Sequence, residues 1–344
     1  MNVLGLLPVM GQPRYAKRIA MMREQGAEVR CLAFDRPYHE GRPPDCAVEV
    51  LGSIPHGRYL FRLRVFLRSV GVIRRRIKDA DVVYAFGLDM LLLGWLASLF
   101  LNKPLVLEIG DIRAVQTAGG LKGRLFRGLD KWLVRRAALV VFTAEDFYRR
   151  YYQDWLGLRL NHRVIENKID FPVTPTAPKP LADGDTLVIG YFGVLRCEWS
   201  VRALAALADA YPDRLRIKVA GFSLLRAALL EDLDRRANVT VQGPYRSPRD
   251  LPALYGEVDM VWASYAPIAA DDWNLRWART NRFYEACAFG RPLVTRQGSN
   301  DGKWVTEYDI GLTLDAVEPE QAVERGFFDV VFCSMEIAGL RPEI

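Results

Sequence analysis

The sequence predicts an α/β protein built from two doubly wound domains that face each other across a cleft. Three observations point there. Short β-type runs alternate with amphipathic helical stretches through both halves, the pattern of parallel sheets covered by helices. The chain has 344 residues, and at about 100–200 residues per domain that favours two cores over one. Between the halves, residues 171–185 read FPVTPTAPKPLADGD, where four prolines in fifteen residues block both helix and central strand. A first domain is therefore expected over 1–172, a proline-rich linker over 173–185 and a second domain over 186–344.

In the first domain the apolar run 2–8 opens the sheet, 13–24 starts on Pro13 with helical spacing, and 28–34 is the second strand. The alternation continues with strand 81–86, helix 88–101, strand 104–109, helix 122–137 and strands 139–143 and 163–166. The apolar run 90–101 is bounded by Asp89 and by Asn102-Lys103-Pro104. A bilayer needs about 20 such residues, so this shorter run reads as a buried helix. In the second domain strand 186–192 leads to a helix near 200–210, and strands follow at 216–220, 239–242, 259–263 and 292–295. Sheets wound this way collect the loops after their strands on one edge, where a ligand is expected.

Half of the residues are hydrophobic and 26% are charged, which excludes a disordered or collagen-like chain. The five cysteines, Cys31, Cys46, Cys197, Cys287 and Cys333, are odd in number and form no C-x-x-C pair. Neither a disulfide framework nor a zinc ribbon is indicated, and a reducing cytoplasm fits. No basic residue precedes the apolar run 3–10, so the charged start of a signal peptide is missing. Asp183-Gly184-Asp185 and the pair Asp232 and Asp234 imitate a metal motif, but one falls in the linker and the other on an expected helix, and no cluster has metal-ligand spacing.

The net charge of +6 is unevenly spread. Through Pro175 there are 28 Lys+Arg against 17 Asp+Glu, and after it 19 against 24. The first half is thus suited to something acidic. Segments 56–78 and 122–136 interleave Lys and Arg with aliphatic residues. Each reads either as a solvated face packed on the core or as a contact with an anionic membrane surface. Nucleic-acid binding lacks any motif, and the basic residues alternate with aliphatics rather than aromatics.

The most informative stretch is Asn281-Arg282-Phe283-Tyr284-Glu285-Ala286-Cys287-Ala288-Phe289-Gly290-Arg291-Pro292-Leu293-Val294. A helix starting near Asn281 ends on Gly290, and Pro292 opens a short buried strand. Taken alone, Glu285 reads as a dipole partner of its helix. With its neighbours it resembles the nucleotide-sugar signature of GT-B glycosyltransferases, especially glycosyltransferase family 4 (group 1). The resemblance implies two Rossmann-like domains, a nucleotide-diphosphate sugar as donor, and neither cofactor nor metal. It further implies Glu285 on the ribose hydroxyls, with Arg282 and the helix start at Asn281 facing the phosphates.

Other stretches carry the same resemblance. Leu187-Val188-Ile189-Gly190-Tyr191-Phe192-Gly193 looks like the strand and glycine loop that opens the family's donor domain, with Gly193 beside the pyrophosphate. Residues 217–221 and 238–245 resemble its next two strand ends, which puts Tyr245 beside the base; plain packing remains open for Tyr245. In the first domain, 107–113 and 141–145 resemble the strand ends on the acceptor side, and Gly11 falls close to the donor phosphates. The departures are equally specific. Val194 and Trp199 stand where the family's glycine loop has basic residues, which leaves Arg196 as the substitute. Trp277 stands eight residues before Glu285, where the family has a second carboxylate. Arg276, Arg279 and Arg282 offer compensating charge, or are ordinary cleft-lining arginines. Trp273, Trp277 and Trp304 read as sugar platforms or as packing.

Acid–base work needs a carboxylate or histidine at the ligand edge. None of His39, His56 and His162 falls at an expected strand end, whereas Asp111 follows strand 104–109 and is the candidate for deprotonating or orienting an acceptor hydroxyl. A turn cap or a partner for Arg113 is the open alternative, and Glu108 ranks lower. The function this implies is transfer of a sugar to a glycan or polyprenyl-diphosphate-linked acceptor in surface polysaccharide biosynthesis. An epimerase on the same fold would need more acid–base residues. A non-catalytic, nucleotide-binding scaffold is the rival favoured by Val194, Trp199 and Trp277.

Overall fold

The computed structural model describes residues 1–35, 43–53, 59–175, 185–269 and 272–324, with backbone alone for 59–64. His39, His56, Asp183, Cys333 and the tail from 325 lie outside the described residues. The chain divides into two compact units, Met1–Asn167 and Lys168–Ile344.

The first unit runs β1 (Asn2–Leu7), α1 (Pro13–Glu24), β2 (Glu28–Asp35), β3 (Ala47–Ser53), α2 (Tyr59–Ile77), β4 (Val82–Phe86), α3 (Leu88–Ser98), β5 (Leu105–Ile109), α4 (Ala114–Thr117), α5 (Gly120–Val134) and β6 (Leu139–Phe142). A π-helix, Phe147–Trp155, and β7 (His162–Val164) complete it. The strands are parallel in the order β3-β2-β1-β4-β5-β6-β7. From Val3 onward β1 is buried on both faces, as a central parallel strand requires. Val3, Leu7, Val29, Cys31 and Tyr84 meet Tyr15 and Ile19 of α1 on one face. On the other, α3 comes close through Gly94, where a Cβ would stand 3.1 Å from Leu6 Cδ1 and 3.4 Å from Val83 Cγ1. Met90, Leu91, Leu93 and Ala97 of α3 are buried, and among the described residues no helix is long and apolar enough to cross a membrane.

The second unit runs β8 (Leu187–Phe192), α6 (Glu198–Ala210), β9 (Leu215–Ala220), α7 (Ala227–Asp234), β10 (Val239–Gln242), α8 (Leu251–Gly256) and β11 (Met260–Trp262). It continues with α9 (Trp273–Trp277), α10 (Asn281–Ala288), β12 (Leu293–Arg296), α11 (Asn300–Tyr308), β13 (Gly311–Leu314) and α12 (Gln321–Glu324). Its parallel order is β10-β9-β8-β11-β12-β13. The period of two is visible in β8. Leu187, Ile189 and Tyr191 enter one core with Leu204 and Leu207 of α6, while Val188 and Phe192 join Leu251, Tyr255, Phe283 and Ala286 on the other face. Ile169, Phe171 and Val173 also pack against that second core, so the chain joins this unit directly after Asn167.

Candidate functional site

The strand order of the second sheet reverses between β8 and β11, so the loops that follow these two strands diverge and leave a crevice at their carboxyl ends. Arg282 spans that point. Its Nη1 donates to Trp262 O at the end of β11 (3.3 Å) and its Nη2 to Val194 O just beyond β8 (3.4 Å). The guanidinium also lies over the rings of Tyr191 (4.7 Å) and Tyr265 (5.4 Å). Burial alone would lower its pKa; the phenols of Tyr265, Tyr191, Tyr255 and Tyr245 outweigh burial and raise it, so the group stays cationic.

Glycines bring the three strand ends together. Gly193 has φ +108°, and a Cβ on it would stand 3.7 Å from Arg282 Nε and 4.0 Å from Tyr245 Oη. Gly193 N–H donates to Ala220 O (3.0 Å) and Gly221 N–H to Gly243 O (3.2 Å), which stitches the loops after β8, β9 and β10. Gly221, at φ +145°, lies so close under Gly193 that a Cβ there would be 2.8 Å from its carbonyl carbon and 3.1 Å from its nitrogen.

Glu285 lies one turn along α10 from Arg282 and accepts a 2.6 Å hydrogen bond from Tyr255 Oη. Burial, then the Glu285 charge, push the Tyr255 phenol well above its ordinary range, and the same two causes raise Tyr245. Tyr255 therefore acts as a fixed donor that orients the Glu285 carboxylate. Gly193, Tyr245, Arg282 and Glu285 thus converge on one edge. Asn281 is the exposed first residue of α10, capped by Thr280, whose hydroxyl accepts from Phe283 N–H at 3.2 Å. Arg196 is exposed on the segment after Gly193, which is tied to its neighbour by Leu195 N–H to Phe222 O and Leu224 N–H to Leu195 O, both 2.9 Å.

Of the departures at this edge, Trp199 has a packing role, whereas nothing in the structure explains the exposed Val194. Trp199 is buried, its indole donates to Val317 O at 2.9 Å, and Arg296 lies over its ring, so it is a core residue of α6. Trp277 O accepts from Asn300 Nδ2 (3.1 Å), Arg279 donates to Asn300 Oδ1 (3.3 Å), and Arg279 lies over Trp304 at 4.3 Å. Trp304 in turn stacks on Tyr308.

Gly11 and Asp111 lie on the carboxyl edge of the first sheet. Gly11, at φ +83°, turns the chain between β1 and α1. Asp111 follows β5 with its side chain 66% exposed, 3.8 Å from Arg14 Nη1, while Arg113 forks onto Asp89 at 3.1 and 2.9 Å. Beneath them is a group ranked low from sequence. The fully buried Glu108 accepts from Arg18 Nε (2.8 Å) and Tyr84 Oη (2.6 Å), with Arg14 Nε 3.6 Å away. This network leaves Glu108 committed to the interior; its one sequence signal is a carboxylate inside an apolar strand. His162 does fall at a strand end, as the first residue of β7, but at the amino end, with its ring stacked 3.6 Å from Tyr148. Tyr255 and Asp301 are the residues holding the carboxyl edge of the second sheet that sequence reasoning passed over. Among the described residues no group of three or more His, Cys, Asp or Glu could hold a metal ion.

Residues 11–168 match the family described as "Glycosyl transferase 4-like domain". The chain is a GT-B-fold glycosyltransferase. The match spans most of the first unit, Met1–Asn167. Over 342 residues the chain is 28% identical to succinoglycan biosynthesis protein ExoL of Rhizobium meliloti (strain 1021), covering 93% of this chain and 82% of ExoL. Among solved structures it resembles Anabaena Alr3699/HepE in complex with UDP and glucose, with TM-score 0.64, 20% identity, and coverage of 99% of this chain and 95% of that one. Sucrose-phosphate synthase from Thermosynechococcus elongatus superimposes with TM-score 0.67 at 16% identity, covering 98% and 93%.

Proposed function

We propose that this glycosyltransferase moves a sugar from a nucleotide-diphosphate sugar to a hydroxyl of a glycan or polyprenyl-diphosphate-linked glycan, in surface polysaccharide biosynthesis on the cytoplasmic side of a membrane. The observation that carries it is the convergence of Gly193, Tyr245, Arg282 and the Tyr255-held Glu285 at the switch point of the second sheet. The relatives support the substrate classes, since HepE was solved with UDP and glucose and ExoL is named for succinoglycan biosynthesis.

In this reading the Glu285 carboxylate accepts from the ribose hydroxyls, Tyr245 lies against the base, and Gly193 lets backbone approach the pyrophosphate. The acceptor oxygen bonds to the anomeric carbon as the bond from that carbon to the phosphate oxygen breaks. The electron pair leaves with the nucleoside diphosphate, and Asp111 takes or orients the hydroxyl proton. Arg282, Arg196 and the start of α10 at Asn281 meet the charge on the leaving group, so turnover needs no resident cofactor or metal and persists in EDTA.

The outward face of α5 supports membrane contact. Leu121 (71% exposed), Leu125 (65%), Leu129 and Trp132 form one stripe pointing away from the buried Gly123, Asp130, Leu133 and Val134, with Lys122, Arg124 and Arg135 exposed around it. A helix that turns leucines outward within a basic rim suits an anionic bilayer surface. On α2, Leu67, Arg68, Arg75 and Arg76 are exposed as well.

Calorimetric titration with UDP-, GDP- and ADP-sugars tests the donor site. One sugar nucleotide should bind wild type and lose at least about tenfold in affinity against Glu285→Ala. Binding by none of them would sink the donor-site assignment and favour the scaffold.

A further inference from the structure

Helix α10 carries both Arg282 and Glu285, so whatever fixes its first turn fixes the donor edge. Thr280 caps it, and Thr280 is itself held from outside. Its hydroxyl donates to Asp301 Oδ2 at 2.7 Å, and its backbone N–H reaches the same carboxylate at 3.3 and 3.4 Å. Asp301 is buried in the first turn of α11, which Ser299 caps by accepting from Gly302 N–H at 2.9 Å. Next to it, Asn300 takes hold of Trp277 O and Arg279. The start of α11 thus grips the whole approach to α10.

We propose that Asp301 is a positioning residue for the donor site, its carboxylate holding Thr280 and so the start of α10, and that its ionisation sets how tightly a nucleotide sugar binds. This role rests on the donor-site assignment above. The groups facing the carboxylate are Thr280 and Arg279 ahead of α10, and Arg282 and Cys287 on α10. Burial pushes Asp301 up to about 6, against the pull of Thr280, Arg279 and Arg282. Cys287 is exposed and its thiol is raised further by the Asp301 charge, so it stays neutral while Asp301 titrates.

The sign follows. As a carboxylate, Asp301 accepts both Thr280 donors in charge-assisted bonds; once protonated it accepts them more weakly. Donor affinity should therefore fall as pH drops through about 6. Stability moves the other way. The raised pKa contributes stability that is complete below the unfolded value of 3.8 and is lost as pH rises through about 6. Affinity and stability with opposite pH slopes are a signature that mere packing would not produce.

The test is calorimetric titration of UDP-glucose, GDP-mannose and ADP-glucose from about pH 5 to pH 8, continued with whichever binds, because their pyrophosphate diesters keep a constant charge there. Wild type should bind about fivefold more weakly at the acid end. Asp301→Asn should be flat and near the acid-end value throughout, with the change in KM rather than kcat. Thr280→Val, which removes the hydroxyl at constant shape, should also weaken binding and lose most of the slope. A slope that survives in Asp301→Asn, or a wild type without slope whose binding Glu285→Ala abolishes, overturns this role and leaves the donor site standing. If no sugar nucleotide binds wild type, or Glu285→Ala binds unchanged, the donor site fails and this role with it.

Discussion

Replacing Gly221 by alanine should disable the donor edge, while the same change at Gly243, at the next strand end along the same edge, should be harmless. The two glycines differ in two measurable respects. Gly221 sits at φ +145°, a conformation that costs an L-residue about 1–3 kcal/mol. Its new Cβ would also overlap the Gly193 carbonyl, whose carbon lies 2.8 Å away, closer than real Cβ atoms come to backbone. Backbone cannot rotate aside as a side chain can, so the loop after β8 must shift, at an overpacking cost of about 1–3 kcal/mol. Together these give a loss of about 2–6 kcal/mol and a displaced Gly193, the residue next to Arg282 Nε and Tyr245 Oη. A Cβ on Gly243 meets nothing within 4 Å. Urea unfolding monitored by circular dichroism, paired with sugar-nucleotide titration, reads both effects. Gly221→Ala should lose stability and donor affinity, and Gly243→Ala should keep both within about 0.5 kcal/mol of wild type. Wild-type stability and affinity for Gly221→Ala would refute the stitched-loop account of this edge.

Two further outcomes are expected. Glu108→Ala should destabilise the first unit by about 3–5 kcal/mol, because it leaves the buried Arg18 and the adjacent Arg14 without their carboxylate; a loss under about 1 kcal/mol in denaturant unfolding would show that the network is not structural. In co-sedimentation with liposomes, wild type should bind anionic vesicles at low salt, and the pair Leu125→Asp and Leu129→Asp should abolish binding without changing Tm, since both side chains already face solvent. Equal binding by wild type and the double variant would rule out α5 as the contact.

The doubly wound layout was legible because parallel strands and their covering helices write different periods. The run 187–192 sends alternate residues into two cores, and 88–98 is apolar on nearly every side. Elements were missed where the pattern was weak. The edge strand β3 buries no residue fully and its exposed residues do not recur with a period of two, so no strand pattern announces it. The π-helix Phe147–Trp155 buries Phe147, Tyr148, Tyr151 and Tyr152 on one face at helical spacing, but the stretch is short and polar between them, and nothing in that spacing announces the wider π turn. The candidate site divides on the same principle. Glu285 and Gly193 are marked locally, one by a helix start and a terminal glycine, the other by a strand running into a glycine turn. Their supports are not. Tyr255 reaches Glu285 from thirty residues away in sequence, and Asp301 reaches Thr280 from twenty-one, each from a different helix. Only the folded sheet sets those helices side by side, so the residues proposed to touch a donor carry local marks in the chain, whereas the residues that hold them in place do not.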